Sequence, residues 1–468
     1  MNESLDDRAS LEPDDRQSSP PVRNHVPALV GPLGGLELDP PITTDALTHL
    51  TRRILIVDHR NLLSRSLRLP AFAAALVLLL SPAARADHEV VVTNGEHELL
   101  DAPVTAVLPK GLAGKSVRLV ADDGKPVVSQ SDKKEGKPAL TWIIPKIAPK
   151  QTLRYKLVPG EAATAPAGEG VEIKETGEGV EITINGKLFT VYRTKKGVAN
   201  KPYWWPIIGP TGKPVTRAYP MVEGAANERD DHHHHRSLWF THEDVSGENY
   251  WHEVDKAAST VHQEIVDIQN GPVFGEFTAR TDWIDTKGNK TADDIRTMRV
   301  YNVPDARLMD VMVTVNASQK ELVWGDRKDG MFGVRVAGTM KVDAKKGGTI
   351  RNANGVENKE AWGKRAPWCD YFGPLEGETV GIAIFDKPTN LRHPTYWHVR
   401  TYGLFTANPF GIGYFKGDRK KYDGTYVVPK GDQLRFDYRI YIHKGDTEQA
   451  HVGDVYAAYA DPPEVVVK

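Results

Sequence analysis

The chain has 468 residues, with 60 Lys and Arg against 62 Asp and Glu, for a formal charge of -2. That balance excludes a net-charge attraction to nucleic acid or anionic lipid, and the length allows two or three domains with sizeable cores. A single cysteine, Cys369, excludes an intramolecular disulfide framework and any zinc site built on clustered cysteines.

In chain order, residues 1–59 are polar, rich in Pro and Asp and without periodicity. They read as a disordered extension or a start assigned too far upstream. Residues 60–86 carry Arg60, Arg65 and Arg68, an apolar core over 71–80 and then Ala84-Arg85-Ala86. This is the tripartite pattern of a signal peptide cleaved near Ala86, and it predicts a secreted or periplasmic protein. The apolar core falls short of the roughly 20 residues that span a bilayer, so no membrane span is expected after cleavage.

Residues 87–158 alternate short β-rich runs with Asn-Gly, Asp-Gly and Pro breaks and predict a small β-sandwich. The Pro/Gly/Ala segment 159–170 reads as a linker. From 171 to 468 strands dominate. "GVEITINGKLFTVYR" predicts a hairpin turning at Asn185-Gly186. "LRFDYRIYIH" alternates strictly, with Leu434, Phe436, Tyr438, Ile440 and Ile442 on one face. One helix is expected over "TEQAHVGDVYAAYA", capped by Asp446 or Thr447 and stopped at Asp461-Pro462. The predicted fold is mainly β: a small N-terminal β-sandwich, then a large antiparallel β-sandwich with a short C-terminal helix.

Seven of the 16 histidines fall between 232 and 262. If "HHHHRSLWF" is extended, His232 and His234 share one face and His233 and His235 the other. Such an i, i+2 pair, about 6–7 Å apart, can meet one divalent ion, with His242, Asp231, Asp370 or His398 as a further ligand. The metal candidates are His232, His234 and His242. Neutral imidazoles also suit acid–base work near an unperturbed pKa of about 6.5. Arg236 weighs toward this metal-free pocket, because a guanidinium beside a cation needs a bridging anion. A solvated histidine run is the third reading.

A second concentration lies at 362–374 and 390–410. It brings Asp370, His393, Trp397, His398 and Arg400, with His398 and Arg400 on one face of "WHVR" and Trp397 on the other. Asp370 is read either as a turn cap or partner of Arg365, or as functional; Cys369 is read as a small buried hydrophobe. Trp204, Trp239, Trp251 and Trp397 flank these segments, and flat aromatic faces beside polar donors suit a sugar ring. His residues beside Glu243 and Glu253 form no ready dyad, since neighbours along a strand face opposite ways.

The segments "YWWPIIGPTGKPVTRAYP", "DHHHHRSLWFTHEDVSGENYW", "WCDYFGP", "HPTYWHVRTYGLFTANPFG" and "DYRIYIHKGD" resemble the secreted bacterial proteins labelled the PmoA family, over most of 171–468. In the pattern D-H-x-H-H-R-S-L-W the variable position is usually proline. The resemblance therefore implies that His233 is dispensable and that Asp231, His232, His234, His235 and Arg236 are the functional set. It also implies a supersandwich similar to that of aldose 1-epimerases, and the family label implies a metal-dependent oxygenase.

The expectation from all this is a carbohydrate-active enzyme: a hydrolase, lyase or epimerase acting on a sugar, a glycoside or another small polar substrate. Its catalytic candidates are His232, His234, His235, Arg236, His398 and Asp370. Its binding candidates are Trp204, Trp239, His242, Trp251, His393, Trp397 and Arg400. A non-catalytic carbohydrate-binding protein and a metal-dependent oxygenase are the alternatives.

Overall fold

The computed structural model describes residues 88–163 and 165–468; the signal segment and the 1–59 extension lie outside the described residues. The described residues fall in one compact unit. The protein is mainly β, as the alternating strands predict.

Two eight-stranded antiparallel sheets make the large sandwich. The first runs, edge to edge, Tyr396–Val399, Leu404–Asn408, Gly330–Arg335, Leu238–His242, Tyr203–Ile207, Lys187–Arg193, Gly179–Ile184 and Val171–Thr176. The second runs Ser259–Gln269, Phe274–Ile284, Lys290–Tyr301, Arg307–Asn316, Gln433–Lys444, Glu378–Asp386, Trp368–Leu375 and Thr349–Asn352. Their facing sides interleave in one core. Phe240 meets Phe436 with ring centroids 6.0 Å apart, and Phe332 stacks on Tyr438 at 4.8 Å. The five alternating residues from Leu434 to Ile442 all enter this core.

The hairpin turns at Asn185-Gly186, where φ is +51° and +71°. A two-residue loop with both positions left-handed matches the twist of its strands, and glycine adopts that conformation without a Cβ penalty.

Residues from His88 to Pro159 build a smaller sandwich with its own core around Trp142, Leu119 and Ile144. The C-terminal strand Glu464–Val467 completes it by pairing antiparallel with His88–Thr93. The sequence reading did not include that contribution. The side chain of Gln130 locks this sandwich to the large one: its Oε1 accepts from the amides of Val273 and Phe274, and its Nε2 donates to the Phe274 carbonyl. Arg299 adds a two-pronged ion pair to Asp132 at 2.8 and 3.0 Å.

The C-terminal helix spans Val452–Ala460 and starts later than the sequence suggested. Asp446 does cap local amides, those of Glu448 and Gln449. Thr447 is diverted: its hydroxyl donates to Asp370 at 2.6 Å.

Candidate functional site

Strand Leu238–His242 is buried at all five positions, because loops cover the side of the first sheet that faces away from the core. Leu238 and Phe240 point into the sandwich, while Trp239 points out and joins Tyr203, Trp251 and Leu404 in a separate apolar cluster. Across this outer face the register sets Tyr203, Trp239, Gly333, Thr406 and His398 in one row. Gly333 is required there: a Cβ would lie 2.9 Å from the Trp239 indole and 3.1 Å from Thr406.

The histidine run is not extended. His232 is left-handed with φ +44°, and the His235 amide donates back to the His232 carbonyl at 2.9 Å, so residues 232–235 form a turn. The face-sharing expected for His232 and His234 therefore does not apply. Instead four rings stack as a column. Trp239 and His235 are 5.3 Å apart, His235 and His232 4.9 Å, and His232 and Tyr402 5.4 Å, all within 12° of parallel. His234 stands edge-on beside the column, 4.4 Å from His235 and 4.6 Å from His252.

A closed polar network holds this column. Arg335 donates to His235 Nδ1 at 3.1 Å and to Asp231 at 3.1 Å. Arg217, fully buried, also pairs with Asp231 at 3.3 Å and donates to the carbonyls of Arg229, Asp231 and His232. Burial raises the Asp231 carboxyl, but His232 and the two guanidiniums outweigh it and bring it down to about 2. Arg236 donates to both oxygens of Glu253 at 2.9 and 2.8 Å. Lys201 satisfies its three protons on Asn200, Trp251 and Glu253. Its burial pulls the ammonium down to about 8 against the pull of Glu253. With these partners Arg236 is a structural clamp.

Other groups are open. His234 is 7% exposed, yet neither ring nitrogen has a hydrogen-bond partner among the described residues; burial, then Lys201 and the neighbouring imidazoles, hold it neutral. His252 accepts from Asn249 on Nδ1. That leaves Nε2 carrying its proton. The Tyr402 hydroxyl and the Arg400 guanidinium have no hydrogen-bond partner among the described residues. Arg400 instead lies 5.5 Å over the Tyr402 ring.

Through Tyr402 the two sequence segments meet, since His232 stacks on it while Arg335 and Arg400 lie over it. Residues 327–330 cross the outer face beside them, tied down by His398, Asn408 and Thr406. Asp329 belongs to this stretch, and its charge acts on Glu243, His252, His398 and Tyr402. On the flank, a cleft of about 250 Å3 opens beside Arg236, with Tyr203 and Trp205 in its wall.

Several predicted residues sit elsewhere. Trp204 points into the core and its Nε1 donates to Met298 Sδ at 2.9 Å; adjacent strand residues take opposite faces, so Trp205 is the outward member of the pair. Trp397 is likewise in the core, donating to the Ala366 carbonyl. Trp239 and Trp251 do lie on the outer face, but both are sealed beneath the histidine rings. His242 packs on Trp324 and Phe410 and donates from Nε2 to the Gly325 carbonyl, and burial takes its pKa down to about 4. It can neither bind substrate nor share an ion with His232 and His234. Among the described residues no three His, Cys, Asp or Glu side chains are arranged to hold a metal.

Asp370 is fully buried, accepting from His443 at 3.2 Å and from Thr447. His393 donates to Asp386 at 2.8 Å. These two are structural, and neither reaches the groove. His398 does, but its Nδ1 is spent on the Lys328 carbonyl at 2.7 Å; its pKa falls to about 4 through burial, and Nε2 has no partner. It positions Asp329, whose carboxylate is 3.6 Å away. The sequence reading missed Asp329, Arg335 and Tyr402, and it set Glu243 aside as forming no ready dyad. Only the register of strands some ninety positions apart brings these together.

A model described as a family of unknown function (DUF6807) matches residues 179–457, and the chain belongs to that family. This overturns the resemblance to PmoA-labelled proteins: no match to that family is found, and the segment from Asp231 to Trp239 that carried it lies inside the matched range. The oxygenase reading and the dispensability of His233 rested on that label and fall with it. His233 in fact donates to the Glu253 carbonyl at 2.6 Å. No curated protein matches the chain. Among solved structures it is similar to an alpha-mannosidase from Enterococcus faecalis V583, with a TM-score of 0.38 and 11% identity over 82% of this chain and 46% of that one. It is also similar to a glycosyl hydrolase family 38 protein from Enterococcus faecalis, with a TM-score of 0.34 and 10% identity over 82% and 47%. The chain spans about half the length of these structures. Among the described residues no helix is long and apolar enough to cross a membrane.

Proposed function

We propose that this member of a family of unknown function is a secreted carbohydrate-active enzyme that binds a sugar or glycoside on the outer face of its first sheet and moves a proton on it. One observation carries the reading. Around a network in which Arg217, Arg236, Arg335, Lys201, Asp231 and Glu253 all have partners, the tips of His234, Tyr402, Arg400, Asp329 and Glu243 do not have hydrogen-bond partners among the described residues, and they share the outer side of the first sheet. Buried polar groups such as His234 are normally satisfied within a fold. A set left open together suits a ligand that brings many hydroxyls, and neutral imidazoles both donate and accept. The open Arg400 fits a carboxylate or vicinal hydroxyl pair. A non-catalytic binding protein would use the same donors, but it would have no need of opposed carboxylates.

The test is a glycan array followed by calorimetry on any saccharide retained. The wild-type chain is expected to bind. His234→Ala and Tyr402→Phe are each expected to weaken binding about tenfold, the worth of one net hydrogen bond. Unchanged affinity in both variants would contradict the site, and so would the absence of any bound saccharide.

A further inference from the structure

We infer that Glu243 and Asp329, joined by a backbone hydrogen bond one residue beyond the paired strands Leu238–His242 and Gly330–Arg335, are the proton donor and proton acceptor for breaking a glycosidic C–O bond. The inference rests on reading the groove as a sugar site.

The pairing of His242 with Gly330 ends the ladder between these strands, and the Glu243 amide extends it by donating to the Asp329 carbonyl at 2.9 Å. Alternation from Trp239 and Thr241 carries Glu243 to the outer face, and Asp329 meets His398 there at 3.6 Å and the Lys328 ammonium at 3.8 Å. Like charges directly opposed destabilise a sheet. Elsewhere the chain pairs its inward carboxylates: Asp231 with two arginines, Glu253 with Arg236, Asp294 with Arg296, Asp370 with His443. Glu243 and Asp329 alone of these accept no hydrogen bond among the described residues. Two nearby buried imidazoles also keep unpartnered nitrogens. His398, 1% exposed, turns Nδ1 toward Asp329 and keeps Nε2 unpartnered, and His234 keeps both nitrogens unpartnered beside His252.

Burial first, and then the Asp329 charge, push Glu243 up to about 7, with Asp244 adding and Arg327 and Lys328 opposing. A carboxylic acid that keeps its proton near neutrality beside a second carboxylate is the arrangement acid-catalysed glycoside cleavage needs. Glu243 passes its proton to the leaving oxygen as the anomeric C–O bond breaks. A water adds its oxygen to the anomeric carbon and gives a proton to Asp329; Asp329 then releases that proton to solvent, and solvent returns one to Glu243. One water is consumed and no redox change occurs.

The first arm of the test uses no sugar. With carboxyl-13C glutamate and Glu243→Gln for assignment, the Glu243 resonance is expected to titrate near 7 and to shift down by about one unit in Asp329→Asn. An unmoved midpoint would overturn the pair. The second arm uses methyl and 4-nitrophenyl glycosides of hexoses, pentoses and hexuronic acids. Glu243→Gln is expected to lose at least about 100-fold on methyl glycosides and much less on 4-nitrophenyl glycosides, whose leaving group needs no proton. Asp329→Asn is expected to lose on both. Neither carboxylate has a protein hydrogen bond to lose, and unfolding midpoints equal to wild type verify that the amide variants fold. Saccharide binding without hydrolysis by the wild type, or with hydrolysis untouched in both variants, would overturn the pair alone. Absence of saccharide binding would overturn the reading of the groove itself.

Discussion

Two regions of this molecule are rich in histidine and aspartate, and they behave in opposite ways. Around Asp370 and Asp386 each carboxylate is saturated: His443 and Thr447 serve the first, and His393, Asn390 and the Thr395 amide serve the second. Around Asp231 saturation stops one layer short. The arginines and lysine behind the histidine turn are matched, while His234, Tyr402, Arg400, Glu243 and Asp329 accept or donate no side-chain hydrogen bond among the described residues. A saturated network pins strands and loops together. An unsaturated one, held in place by a saturated one behind it, leaves hydrogen-bonding capacity for something else. Residue type does not distinguish the two regions; the count of satisfied atoms does.

The largest expected effect separates them by acidity. Burial holds His234, His235, His242 and His398 below the usual imidazole pKa, and all four belong to the first sheet or its loops. As pH falls through about 6.5 the unfolded chain takes up protons that these folded rings refuse, so stability falls with pH, by up to about 1.4 kcal/mol per ring for each unit. Urea midpoints are expected to drop from pH 7.5 to 5.5. A flat or rising midpoint would break this half of the comparison.

Next in size is Asp370→Ala. It strands a buried imidazole and a hydroxyl, and is expected to cost about 3–5 kcal/mol in urea unfolding while leaving saccharide affinity unchanged. Gly333→Ala does the reverse at smaller cost. Its methyl group meets the Trp239 indole and Thr406, so a loss of about 1–3 kcal/mol is expected together with weaker saccharide binding, because the ring column stands on Trp239. His234→Ala removes no protein hydrogen bond, and its stability change is expected to stay within about 1 kcal/mol.

Much of the architecture was legible. Period-two alternation from Leu434 to Ile442 and the Asn185-Gly186 turn are local signals, and both hold because packing agrees with them. Tyr402, on which His232 stacks and over which Arg400 lies, was not singled out by the sequence. Other features were hidden by physics that acts over distance. A run of four histidines carries no sign that His232 turns left-handed and breaks the alternation. Trp204 and Trp205 look equivalent until one strand register sends the first inward. Asp370 has the same neighbours in sequence whether Thr447 caps a helix or reaches across to it. The opposition of Glu243 and Asp329 depends on pairing between strands whose order in the sheet no local pattern encodes.

The most direct measurement follows the imidazoles. Protein carrying 15N-labelled histidine, titrated with a saccharide retained on the glycan array, reports both regions in one spectrum. Shifts at His232, His234 and His252, with His393 and His443 unmoved, are the predicted result. Movement at His393 or His443 with the groove histidines silent would contradict the account.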